Sequence, residues 1–321
     1  MEDSRTRPSS TLGENVENTE EKRLNALIAI AARERNLDLL PKLIAEGADL
    51  SSDAGRRAIG LAARFGPTET FQKAVDAAIL AGAKIDGQLT RDIVLSSCMT
   101  TNIDKLRACK QFIESSTGLW NPDSMELPGG ATPLQASCRF DFASGIKALL
   151  EWGADPGKTD KNSNNALHIA ANHSQTANVE TILATGKTQL AAARNADGHT
   201  ALMLAVKTGS SGCIKALAGC TPLDIQDAQG FTALMLAART MGASRETIEL
   251  LAFKAQPCSG GLRRLLDAAR AQGFCIATKN KEGAEALQQY IEAAAERSDL
   301  WSAASPEELP GQTPTPPSMR L

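Results

Sequence analysis

The chain has 321 residues, a formal net charge of −3 and 42% hydrophobic side chains, with only 4% aromatics. That balance lacks the overall basic charge of a nucleic-acid-binding chain and predicts a core of Ala, Leu and Ile. Neither a membrane-span-length apolar run of ~18 residues nor the apolar stretch of a secretory signal peptide is present, so the protein is expected to be soluble.

In chain order, residues 1–22 come first. Eight of the first 20 residues are Ser, Thr or Asn and almost none is apolar, which predicts a disordered tail. Residues 23–300 then carry a recurrence. Taking the second residue of each small pair as an anchor gives Ala32, Ala63, Ser97, Cys138, Ala171, Val206, Ala238 and Ala269, at intervals of 31, 34, 41, 33, 35, 32 and 31. Self-similarity at such a period means a stacked array of helix pairs.

The unit at 130–157 shows the physics most plainly. Thr132 is placed to cap a first helix, and Pro133 at its first position gives up no needed N–H. Ile146, Leu149 and Leu150 form the buried stripe of a second helix. Gly153 ends it, because the left-handed conformation costs glycine little. Other units vary on this frame. The first, from Ala26 to Asp49, lacks the Thr-Pro start. The second holds about four extra residues before Gly82-Ala83. In the third, Ile93 to Ser97 stands in for a first helix, and the long loop 119–130 with Trp120 follows. Thr221-Pro222-Leu223 imitates a start but reads as the exit from the sixth unit. Residues 265–270 are expected in a first helix of a weak eighth unit, and 282–297 in a closing helix. Residues 301–321, rich in proline, are expected to be disordered and to act as plain linker.

The starts G-A-T-P-L at 130–134, G-H-T-A-L at 198–202 and G-F-T-A-L at 230–234, with the stop W-G-A-D at 152–155, resemble the ankyrin-repeat family over about residues 24–275. The resemblance implies seven to eight repeats in an all-α solenoid of helix-turn-helix units joined by short β-hairpin loops. It also implies that the residue after each small pair faces a concave groove. Those residues are Arg33, Arg64, Arg139, Asn172, Lys207, Arg239 and Arg270, and the next ones include Phe65, Phe140 and His173. A basic residue there is also favoured simply by the nearby helix C-terminus. The expected contact set for a protein partner, through an acidic segment, is Arg33, Arg64, Phe65, Trp120, Arg139, Phe140, His173, Lys207 and Arg239. Trp120 packs against the third unit or stands as an anchor; the sequence leaves both open.

Neither a metal nor a cofactor site is expected, and the three histidines fall in separate repeats. His168, at the family's histidine position, is expected to stabilise its turn. Cys138 sits at a buried small anchor, where a thiol is inert. The expected function is a monomeric, cytoplasmic, non-enzymatic scaffold or adaptor without nucleic-acid or membrane partners. One alternative is an effector secreted from a bacterium into a host cell, since residues 1–20 resemble an export leader. Another is an effector enzyme with its site built into the degenerate third or eighth unit.

Overall fold

The computed structural model describes residues 11–83, 87–124, 127, 129–240, 244–253, 261–277 and 280–296, some at helix ends by backbone alone. The first ten residues of the leader-like segment, the proline-rich tail and Cys258 lie outside the described residues. The chain divides into two compact units, Met1–Ala196 and Asp197–Leu321.

In the first unit the helices run as pairs: α1 (Thr11–Glu34) with α2 (Leu40–Ala45), α3 (Asp53–Phe65) with α4 (Thr68–Leu80), and α5 (Gly87–Cys98) with α6 (Ile103–Thr117). Then come α7 (Pro133–Ser137) with α8 (Ala143–Glu151), and α9 (Ala166–Asn172) with α10 (Thr176–Leu183). First helices stack on first helices (α1, α3, α5, α7, α9) and second helices on second helices (α2, α4, α6, α8, α10). The second unit repeats the plan. There α11 (Ala201–Thr208), α13 (Ala233–Arg239) and α15 (Gly261–Ala277) stack, as do α12 (Ser211–Ala218), α14 (Arg245–Phe253) and α16 (Lys281–Glu296). Helix α1 begins at Thr11, inside the segment whose composition predicts disorder.

Helix starts follow the sequence closely. Thr132 Oγ1 accepts a hydrogen bond from Gln135 N at 3.3 Å, while Thr132 N donates to Gln135 Oε1 at 2.8 Å. This reciprocal cap satisfies two N–H groups that the helix leaves unpaired. Gln135 also donates through Nε2 to Lys158 O and Asn164 O, tying the cap to the next turn. His168 takes the same role beside Asn165: its backbone N donates to Asn165 Oδ1 at 3.1 Å, and Asn165 N donates to its Nδ1 at 3.3 Å. The ring is fully buried, so the histidine is part of the fold.

Three second helices, α4, α6 and α10, are fastened by their third residue, which reaches back one pair. Lys105 Nζ donates to Gly66 O at 2.7 Å, and Asn178 Nδ2 donates to Phe140 O at 2.6 Å. Thr70 Oγ1 donates to Asp38 Oδ1 at 2.9 Å. The carbonyls at a helix C-terminus lack partners within the helix, and these side chains supply them at Gly66 and just beyond α7. Burial pulls the Lys105 ammonium below its ordinary pKa.

Of four particulars of the expected frame, the first and third hold and the second and fourth do not. The extra residues of the second unit lengthen α4 to 13 residues, about one turn more than the 9 of α8. Among the described residues no β-strand forms; the expected hairpins are turns joined by single bonds such as Lys161 N to Gly129 O and Ala228 N to Asp197 O. Thr221–Leu223 lies in the connection between α12 and α13, outside any helix. Finally, the eighth anchor fails, because Ala269 is exposed while Ala268, Ala271 and Cys275 are buried. Cys275 Sγ, not residue 269, approaches Ala238 O at 3.9 Å. Register therefore places exposed Ile276 after the buried small residue, and Arg270 sits about 9 Å earlier along the helix.

Phe142, 2% exposed, fills the space where Gly145 has no side chain, and a Cβ there would overlap three atoms of the ring. Ordinarily Gly→Ala inside a helix stabilises by up to ~1 kcal/mol. At Gly145 the sign reverses: overpacking against a ring with no room to move costs about 1–3 kcal/mol. Chemical denaturation of Gly145→Ala checks this, with a lowered midpoint expected and a raised one refuting the fit.

Candidate protein-interaction surface

The ends of the first helices build the candidate site. In each pair the small residues are sealed inside: Ala62 and Ala63, Ser137 and Cys138, Ala170 and Ala171, Ala205 and Val206, Ala237 and Ala238 are all buried. A helix advances about 100° per residue, so the following side chain turns away from the stack. Arg33, Arg64, Arg139 and Asn172 are exposed in the first unit, as are Lys207 and Arg239 in the second. The row is interrupted at the third pair. There Cys98 follows Ser97, and both are buried.

Phe65 is 55% exposed, the largest aromatic surface among the expected contact residues. Two guanidiniums bracket it, Arg64 at 5.0 Å and Arg35 at 5.3 Å from the ring centroid. Sequence reasoning missed Arg35. Its backbone is left-handed, with φ of 55°, in the turn where the sixth unit has Gly209 at φ of 72°. The left-handed conformation costs a non-glycine residue about 1–2 kcal/mol, whereas an exposed cation–π contact returns only about 0.5–1 kcal/mol. Ser174 adopts the same left-handed turn in the fifth helix pair, with φ of 58°, so the turn accepts side chains and Arg35 is distinguished by its ring contact alone.

Phe140 is half-buried, and its carbonyl is held by Asn178. His173 points outward but is partly desolvated, which is the first cause of its lowered pKa; the Arg139 charge is the second. Arg139 and His173, one repeat apart in sequence, are thus electrostatic neighbours. Trp120 lies apart from this row. It is half-buried and meets Trp152 edge-on at 5.9 Å, and Lys110 Nζ stands 5.6 Å over the Trp152 ring. The loop that carries it is pinned by Asp123, whose carboxylate accepts from Asp155 N at 3.0 Å. Trp120 therefore leans on the fourth helix pair.

In the second unit, Lys207 and Arg239 border a cavity of about 300 Å³ with His199, Asp227, Gln229, Leu236 and Thr240. His199 was not singled out by sequence, because it occupies the turn ahead of the Thr200 cap rather than a row position. Its pKa is lowered, chiefly by burial and then by Lys207, against the opposing pull of Asp227 and Asp197.

Burial raises the Cys98 thiol to about 11 and the Cys109 thiol to about 12, and it pushes Cys138 higher still. Such thiols stay protonated and unreactive near neutral pH. Among the described residues no group of three or more His, Cys, Asp or Glu side chains is arranged to hold a metal ion. Nor is any helix among them long and apolar enough to cross a membrane.

The Arg139–His173 pairing predicts an NMR titration. His173 should titrate below the ordinary imidazole value of 6.5, and Arg139→Gln should move its midpoint upward by removing a nearby positive charge. An unmoved midpoint would separate the two side chains.

Residues 187–259, which include α11 to α14, match the family model described as ankyrin repeats (3 copies). Together with the stacked helix pairs of each unit, that match makes the fold an all-α ankyrin-type solenoid.

Proposed function

We propose that the chain is a non-enzymatic adaptor that binds a partner protein through the concave face of its repeats. Each helix pair is then one repeat, eight in all. Ankyrin repeats generally mediate protein–protein contact, and solenoids bind through surface extended over several repeats. The observation that carries the reading is Phe65, exposed and flanked by Arg35 and Arg64. Aromatic and arginine side chains dominate interface energies. Arg33, Arg139, Phe140 and His173 extend this surface within the first unit, and Lys207 and Arg239 supply its counterpart in the second. Trp120 is a separate, half-covered contact.

Exposed cations in a chain of net charge −3 favour an acidic segment on the partner, which arginine grips through paired hydrogen bonds to carboxylates. The test is joint charge reversal, Arg64→Glu with Arg139→Glu. Both side chains are exposed, so the fold should persist. Affinity purification with quantitative mass spectrometry should show the partner reduced by about tenfold or more, since like charges across an interface repel. Undiminished recovery of every partner would remove the row from the interface.

A further inference from the structure

We infer that the cavity bordered by Lys207 and Arg239 is a carboxylate-binding pocket that takes one Glu or Asp side chain of an extended acidic peptide. The inference rests on the reading that this face binds protein, and it names one subsite and its ligand.

Its walls come from four places within the second unit, the first being His199 in the turn before α11. Lys207 stands at the end of α11, Arg239 and Leu236 lie on α13, and Asp227 and Gln229 belong to the turn before α13. The guanidinium is held in position. Arg239 Cζ lies 4.4 Å from the Phe231 ring centroid, and Phe274 of α15 braces that ring edge-on at 5.8 Å. Lys207 and Arg239 both line the cavity, and among the described residues neither is in a salt bridge, so the only carboxylate lining it with them is Asp227.

Asp227 decides the ligand. Its side chain is almost wholly buried, and Oδ1 accepts from Gln229 N at 2.8 Å and Phe231 N at 2.9 Å. Its Oδ2 lies 3.6 Å from His199 Nε2. This carboxylate is committed to its turn, yet its charge remains in the wall. With His199 neutral, the two cations and one carboxylate that line the cavity leave its wall at +1; Asp197, 3.8 Å from His199 Nδ1, is outside that lining and open to solvent, where its charge is screened. A carboxylate, with charge −1, neutralises that excess. A phosphate dianion would overshoot it and face Asp227 across a half-enclosed space, where charges are screened less than in water. The geometry of the arginine fork also suits two carboxylate oxygens.

The experiment titrates the labelled full chain with the blocked pentapeptide acetyl-Gly-Ser-Glu-Ser-Gly-amide, read by the His199 ring resonances. The glutamine version of the peptide and inorganic phosphate serve as comparison arms. Saturable shifts are expected with the glutamate peptide alone. Arg239→Gln should weaken that binding about tenfold, and Arg239→Lys should fall between, keeping the charge but losing the fork. Lys207→Met should also weaken it. The inference is overturned by no saturable shift, by equal binding of the glutamine peptide, by tighter binding of phosphate, or by an unaffected Arg239→Gln variant. Because the peptide test involves only the second unit, its failure leaves the Arg64 and Arg139 reversal to judge the interaction surface independently.

Discussion

Close stacking of first helices through a buried pair of small residues is the constraint on which the rest depends. Helices approach to about 8–10 Å only when the contact side chains permit it. Alanine, serine or cysteine fills the sealed position at Ala63, Ser137, Cys138, Ala171 and Ala238. Once that position faces inward, helix geometry sends its successor outward. The exposed cations are therefore a consequence of packing before they are a feature of recognition. The third pair shows the converse, since an additional buried residue, Cys98, leaves the row without a member.

The stack needs fastening because short helices have many unpaired terminal groups and little intrinsic stability. Two devices meet that need. Capping boxes at Thr132, Asn165 and Thr200 satisfy the N-termini of α7, α9 and α11. Back-reaching side chains such as Lys105 and Asn178 bind carbonyls of the preceding pair. The second device bears on function, because the carbonyl that Asn178 holds belongs to Phe140, next to Arg139. The fold thus orders the residues through which a partner would be engaged. Each element in this chain of dependence is a local contact between neighbouring pairs, in keeping with the nearest-neighbour character of repeat proteins.

Electrostatics then distinguishes the two candidate surfaces. In the first unit Arg35 and Arg64 flank an aromatic ring on open surface, where charge is strongly screened and the aromatic contributes most to contact. In the second unit Lys207 and Arg239 border a cavity with a buried carboxylate in its wall. Half-enclosure makes the sum of charges a selective property there. Similar row positions accordingly produce different chemistry.

Period, caps and helix stops were legible in sequence because they are local: a threonine at a helix start or a glycine at a stop acts on backbone a few residues away. The period located the positions from Arg33 to Arg239, and it was the family resemblance that implied they form a row. Where the pattern weakened, local reading misjudged register, as at Ala269, because a 17-residue helix offers more than one small residue to bury. Contacts between residues distant in sequence could not be read from it. Trp120 against Trp152, Arg35 over Phe65, Asn178 on Phe140 and His199 beside Asp227 each depend on how one helix pair seats on the next. The sequence by itself determined the repeating helix pairs, since they follow from hydrophobic period. Only the tertiary structure decided which outward residues share a ring or a cavity, because that proximity is created by stacking.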